Sequence, residues 1–258
     1  LTGGIDLSVG SLAALCGVVA AHLFKDLHWH PALAMLAGLG SGLAGGALSG
    51  LAVAYVRLQP FVATLAMMAF ARGLAKWVTG GAKVVLMDTP PSWDLLDRRI
   101  PIAGAFATPS AVVPAIACIG VMLLLLRRTT TGMAVYATGD NEQAARYAGL
   151  PVRRIKLLAY CLSGLAAAIA GLIFAIREHQ GNPDGGVGYE LTAIAMVVVG
   201  GTSLSGGRGG VMLTLLGALV IGYLKTILDI NGFDPDKQLM ITGAILALAV
   251  FAQGSRRP

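Results

Sequence analysis

The chain has little charge. Asp, Glu, Lys and Arg make up 12% of its 258 residues, about half the soluble average of roughly 25%, and mean hydropathy is +0.75. Runs free of all four residue types recur at 7–24, 27–56, 100–126, 157–176, 191–207, 209–224 and 238–255, most of them near the roughly 20 residues that cross hydrocarbon. That scarcity excludes an ordinary soluble domain. No segment alternates apolar and polar residues in the manner of a membrane β-barrel, so helices must satisfy the backbone. Cysteine is scarce too: Cys16, Cys118 and Cys161 lie far apart in apolar runs and read as small buried hydrophobes rather than a disulfide or metal set. The four histidines are scattered, which argues against a membrane hydrolase or transferase. His28 and His30 flank Trp29, and two such ligands with only Asp26 nearby read as a surface pair, not a metal site. No G-x-x-x-x-G-K-[ST] occurs, so no phosphate cradle is built into the chain. The net charge of +6 is dispersed among the apolar runs, which sets aside nucleic acid as a partner.

What is present is an all-α pattern, a polytopic transmembrane helical bundle. Hydropathy places helices at about 7–24, 31–56, 60–79, 109–126, 157–177, 190–202, 210–227 and 238–253, about eight membrane segments, with one short or broken segment near 190–209. The connection 127–156 carries Arg127, Arg128, Arg146, Arg153, Arg154 and Lys156 against Asp140 and Glu142, and is read as cytoplasmic. Counting outward from it puts Arg256 and Arg257 inside as well, while Arg98 and Arg99 run against the rule. Residues 1–258 are read as a single transmembrane domain. Beginning at Leu1 without a start methionine, it is read as a piece lacking upstream segments.

Small residues crowd one stretch, AGLGSGLAGGALSG at 37–50, where Gly38, Gly42, Gly46 and Gly50 recur at small-xxx-small spacing. Internal helix packing explains them, and a seam with a second copy of the chain is the alternative. Arg72 and Lys76 lie a helical turn apart near the outer end of their segment, where long side chains snorkel to headgroups; a buried functional charge is the other reading.

Two glycine-framed polar knots share G-G-x-x-L-S-x-G: TGGIDLSVGS at 2–11 and GGTSLSGGRG at 200–209. Thr2, Gly3, Gly4, Asp6 and Ser8, with Thr202, Ser203 and Ser205, are the candidate translocation-path residues. Asp6 or Ser8 capping the helix that runs to Phe24 explains part of the pattern. Interrupted helices beside a transport path explain the rest.

Between Gly139 and Gly149-Leu150-Pro151 lies a short helix-forming stretch, Asn141-Glu142-Gln143-Ala144-Ala145-Arg146-Tyr147-Ala148. Asp140 or Asn141 can cap it, and Ala144, Ala145, Ala148 and Leu150 offer a small apolar face. Such an element suits a groove in another subunit, or rests on membrane lipid aided by Arg153, Arg154 and Lys156.

In this loop the sequence resembles a known family. GMAVYATGDNEQAARYAGLPVRRIKLLAYCLSGLAAAIAG at 132–171 is similar to the cytoplasmic loop and following helix of the inner-membrane permeases of ribose-type ABC sugar importers. GIDLSVGS at 4–11, QPFVATLAMMAFARG at 59–73 and GYELTAIAMVVVGGTSLSGGRGG at 188–210 match that family's stretches in order. The resemblance implies a bacterial inner-membrane transport subunit with no catalytic residues of its own. It implies a second copy of the permease, a cytoplasmic ABC ATPase subunit that binds ATP-Mg, and a periplasmic sugar-binding protein. The ATPase-coupling residues would be Gly139, Asn141, Glu142, Ala144, Ala145, Arg146 and Gly149. An ion-coupled secondary transporter of a small polar solute is the rival class, and Asp6 is its acidic candidate near a span's interior. Glu178, Asp184, Asp234 and Asp236 in outside loops are read as a solvated face, or as partners for basic residues of a docking protein.

Overall fold

The computed structural model describes all residues except 88, 95, 97, 104–105 and 255–258, so the tail residues Arg256 and Arg257 lie outside the described residues. The chain is mostly helical, in the order α1 (Val9–Lys25), α2 (Pro31–Ala54), α3 (Pro60–Thr79), β1 (Val84–Val85), α4 (Pro91–Asp94), β2 (Arg99–Ala103), β3 (Phe106–Pro109), α5 (Val112–Arg128), α6 (Thr130–Asp140), α7 (Glu142–Tyr147), α8 (Val152–Arg177), β4 (Gln180–Gly181), α9 (Tyr189–Val199), α10 (Val211–Ile230) and α11 (Pro235–Gly254).

A helix occurs at each position expected from hydropathy. Among the described residues four of them, α2, α3, α8 and α10, are long and apolar enough to cross a membrane alone; α5 and α6 make a fifth if they are one span bent by 77°. Helices α1 and α9 are shorter apolar helices. Length and composition therefore support four or five spans and do not establish eight. Two short antiparallel ribbons modify the all-helical expectation. One pairs Val84 with Gly181 and Val85 with Gln180, and the other joins β2 to β3.

The boundaries have local causes. Pro31 and Pro60 open α2 and α3, where a missing N–H costs nothing. Nδ1 of His30 accepts the Ala32 N–H at 3.3 Å, so half of the expected surface histidine pair is a helix cap. Helix α8 begins at Val152 rather than 157, which places Arg153, Arg154 and Lys156 on its first turns instead of in a loop.

The chain divides into two compact units. The first comprises Asp6–Gly120 and Lys156–Val187, and α1 lies at its centre. Leu12, Leu15 and Val18 of α1 pack on Ala71 and Ala75 of α3 and Ala167 of α8. The glycine stripe of α2 faces α1 and α8 within this unit. A Cβ at Gly42 would come within 2.6 Å of the Ala168 Cβ and 2.9 Å of Cys16 Sγ. At Gly46 a Cβ would overlap the Tyr160 carbonyl oxygen, and at Gly164 the Gly42 carbonyl oxygen. The stripe is thus consumed by packing inside one chain, the contact that small residues permit where lipid supplies no hydrophobic drive. At the far end of α1, Phe24 meets the buried Trp93 with ring centroids 4.9 Å apart, over Val84, Leu86 and Ile176.

The second unit comprises Leu1–Ile5, Val121–Ile155 and Gly188–Pro258. Leu126, Ala134, Val135 and Ile155 form a small core against Leu1, Leu150 and Val211. The bend between α5 and α6 is made at Thr129, whose Oγ1 donates to the Leu125 carbonyl at 2.6 Å and accepts the Gly132 N–H at 3.1 Å. Helices α9 and α10 approach backbone to backbone. A Cβ at Gly217 would overlap the Met196 carbonyl oxygen, and one at Gly200 that of Leu213.

Candidate functional site

The expected coupling element is a discrete helix. Asn141 sits at the N-cap of α7 with extended backbone, and its Oδ1 accepts the Ala144 N–H at 2.9 Å. Glu142 follows in the positive first turn and pairs with Arg146 across one helical turn at 2.5 Å. Gly149 adopts φ +80°, which glycine enters without strain, and ends the element. Its faces differ from the expected ones. Ala145 is 4% exposed, and Leu150 packs with the second unit's core, so both anchor α7 to its own chain. Ala144 and Ala148 face outward beside Tyr147, which is 89% exposed. The apolar surface available to a partner is therefore Ala144, Tyr147 and Ala148. Tyr147 carries most of its area and has no special sequence signal. Gly139 lies outside α7. It closes α6, and a Cβ there would overlap the Leu1 carbonyl oxygen and reach within 2.6 Å of the Gly207 N.

The two knots differ in what they do. In the second unit, residues 1–3 meet the knot at 200–209 directly. The Gly207 N–H donates to the Leu1 carbonyl at 2.9 Å, and a Cβ on Gly3 would lie 3.2 Å from the Ser205 carbonyl oxygen. The turn closes on itself where the Ser203 N–H donates to the Arg208 carbonyl at 3.0 Å and the two hydroxyls of Ser203 and Ser205 lie 2.8 Å apart. Gly206 and Gly207 have φ of +91° and +71°, and lie against Gly139 and Asp140. Tyr136 donates its hydroxyl to the Gly209 carbonyl at 3.1 Å, a contact that no spacing in the sequence signals. Thr202 is buried, Thr2 half-buried, and Gly3, Gly4 and Ser205 are exposed.

Asp6 and Ser8 belong to the first unit. Oδ1 of Asp6 accepts the Ser8 N–H at 2.9 Å and the Ser8 hydroxyl at 2.6 Å, and Oδ2 accepts the Ser163 hydroxyl from α8 at 2.6 Å. Capping of α1 thus falls to Asp6. Ser8 stands at the N-cap position but makes no side-chain cap bond. The carboxylate is held by three donors, the arrangement of a satisfied structural group. Ser163 was not foreseeable from the sequence, since a lone serine in an apolar helix usually bonds its own backbone.

Arg72 and Lys76 do not simply snorkel. Arg72 donates to the Pro183 and Gly185 carbonyls at 2.7 and 2.6 Å, and Lys76 pairs with Asp184 at 2.7 Å. The Lys76 ammonium bonded to Asp184 holds that carboxyl below its ordinary value. Other acids read as docking charges also have partners in the chain: Asp234 pairs with Lys237 at 2.9 Å, and Glu178 accepts from Gln180 at 3.2 Å.

Apolar helices of spanning length, joined by tight glycine crossings and interrupted by polar turns, define a polytopic helical membrane protein. The family model described as the permease component of the branched-chain amino acid transport system matches residues 1–250, and the chain belongs to that family. It is 39% identical over 263 residues to the ribose import permease protein of Escherichia coli (strain K12), covering 100% of this chain and 79% of that protein. It is 37% identical over 257 residues to the galactofuranose transporter permease protein of the same organism, covering 99% and 73%. Its identity to that organism's L-arabinose transport system permease protein is 37% over 252 residues, covering 96% and 74%. No solved structure matches the chain.

Proposed function

We propose that this chain is the membrane-embedded subunit of an ATP-binding-cassette importer and carries a monosaccharide of the pentose or hexose kind across the bacterial inner membrane by alternating access. The observation that carries the reading is the 39% identity to a ribose import permease along 100% of the chain. A cytoplasmic ATPase subunit binds and hydrolyses ATP-Mg and grips the outward face of α7, with Ala144, Tyr147 and Ala148 as the contact. A second copy of the permease completes the path, and a periplasmic binding protein delivers the sugar. The loop 127–156 and the C-terminus then lie in the cytoplasm, and the remaining apolar helices cross or enter the bilayer alongside the four long ones. Nucleotide state biases the outward-open and inward-open forms by differential contact with α7. The turn at 200–209, with its hydroxyls and bared backbone groups, lines or gates the path.

The test is reconstitution of the full-length permease with its ATPase and binding protein in proteoliposomes. Ribose uptake that requires ATP and survives an ionophore is expected. Uptake without ATP that collapses with the ionophore would assign the chain to ion-coupled transport instead.

A further inference from the structure

Residues 181–187, expected to be an outside loop, run down the side of α1. A Cβ on Gly181 would lie 2.7 Å from the Ala21 Cβ and 3.2 Å from the Gly17 carbonyl oxygen, whereas one on Gly186 would lie 2.8 Å from the Gly10 carbonyl oxygen. From Gly17 to Gly10 is about two turns of helix, a descent of roughly 10 Å at about 1.5 Å per residue. Non-helical backbone at that depth is tolerated only where protein buries it or water reaches it.

Both conditions occur here, on opposite sides. Pro183 is fully buried, and the turn satisfies itself through the Gly185 N–H to the Asn182 carbonyl and the Asp184 N–H to Asn182 Oδ1, each at 3.0 Å. Arg72 of α3 binds the carbonyls of Pro183 and Gly185 from within. One turn further along α3, the Lys76 and Asp184 side chains remain 49% and 58% exposed although they form an ion pair. A half-exposed ammonium and carboxylate cannot be turned toward hydrocarbon, where each charge is expensive. Water must therefore stand over this pair.

A carboxylate and an ammonium held side by side offer acceptors and donors to adjacent hydroxyl groups. An exposed pair also opens at little cost. We propose that the Arg72–Lys76 face of α3 and the turn 182–186 form a wet mouth of the translocation path, in which Asp184 and Lys76 take the hydroxyls of an entering monosaccharide. Arg72 is a positioning residue that holds the turn. The sugar part of this inference rests on the proposed function above, and the water part only on α1 entering the bilayer as stated there.

The full-length complex in proteoliposomes, with binding protein, ATPase and ATP, carries the test. Asp184→Cys is labelled with a charged, membrane-impermeant thiol reagent, the wild-type labelling being subtracted, and compared with Leu219→Cys at an exposed mid-helix position of α10. Labelling of Asp184→Cys at least tenfold faster than Leu219→Cys is expected. Equal slowness of the two variants overturns the wet mouth. A KM for ribose that Asp184→Asn leaves unchanged, in a complex whose wild type imports ribose, overturns the sugar contact. Absence of ribose uptake in the wild type counts against the proposed function, and the contrast between the two cysteines still decides the water. Asp184→Asn should raise the KM for ribose severalfold with normal complex assembly; a purely structural role would lower the amount of assembled complex and leave KM unchanged.

Discussion

Single residues here divide by whether a Cβ fits. Gly46→Ala and Gly164→Ala place a methyl onto main-chain atoms that cannot step aside, and each should cost about 1–3 kcal/mol, read as a lower Tm of the purified protein in detergent. Gly40→Ala and Gly73→Ala meet nothing within 4 Å and should leave Tm unchanged or slightly higher. Asp6 tests the rival energy source. Its carboxylate serves three donors, so Asp6→Asn should cost about 1–3 kcal/mol and leave ATP-dependent uptake in place. Abolished uptake with an unchanged Tm would make Asp6 a coupling group. Asp184 sets a pH expectation. Because Lys76 lowers its folded value, the pair's contribution is fully present above the ordinary aspartate value of about 3.9 and is lost as pH falls through the lowered folded value. The pair's contribution to stability should thus be constant from pH 5 to 8, as measured by the Tm difference between wild type and Asp184→Asn across that range.

Elements were legible where their cause is local. Pro31, Pro60 and Asn141 announce helix starts, and Gly149 a stop, because a cap or a fixed φ acts within a turn of the residue. Helix α6 falls within the connection 127–156, whose basic residues mark it as a loop outside the apolar runs. Its Gly132 and Gly139 allow close approach, Gly132 to α5 and Gly139 to Leu1 and Gly207. The ribbon of β1 and β4 is two residues on each side and is created by pairing across the unit, which no window of sequence contains. The orientation of α7 was half legible: its cap was foreseen, but which alanine turns inward depends on what α7 rests upon. Outward changes such as Ala144→Trp or Tyr147→Glu should lower ATP hydrolysis in the assembled complex more than tenfold without changing the Tm of the isolated permease. Ala145→Leu should do the reverse, lowering Tm through overpacking at a cost of about 1–3 kcal/mol.

At the scale of the whole molecule, sequence carried class and family better than it carried sites. Hydropathy fixes that helices traverse apolar surroundings, and ordered motifs from 4–11 to 188–210 carry the likeness to sugar permeases. The membership of each knot was not legible. Thr2–Ile5 belongs to the second unit and Asp6–Ser11 to the first, so a motif that reads as one piece serves two. Side assignment follows from the basic connection and is checkable: Tyr147→Cys should react with an impermeant thiol reagent in inside-out vesicles and stay unlabelled in right-side-out ones.

The meeting of Gly46 with Gly164 has a mechanical outcome. Where two rods touch through their main chains there are no rotamers left to readjust, so the joint cannot creep by small increments as an ordinary leucine-lined contact does. In the proposed transport cycle helices α2 and α8 would then travel together as one lever, with the flexing found in other joints of the chain.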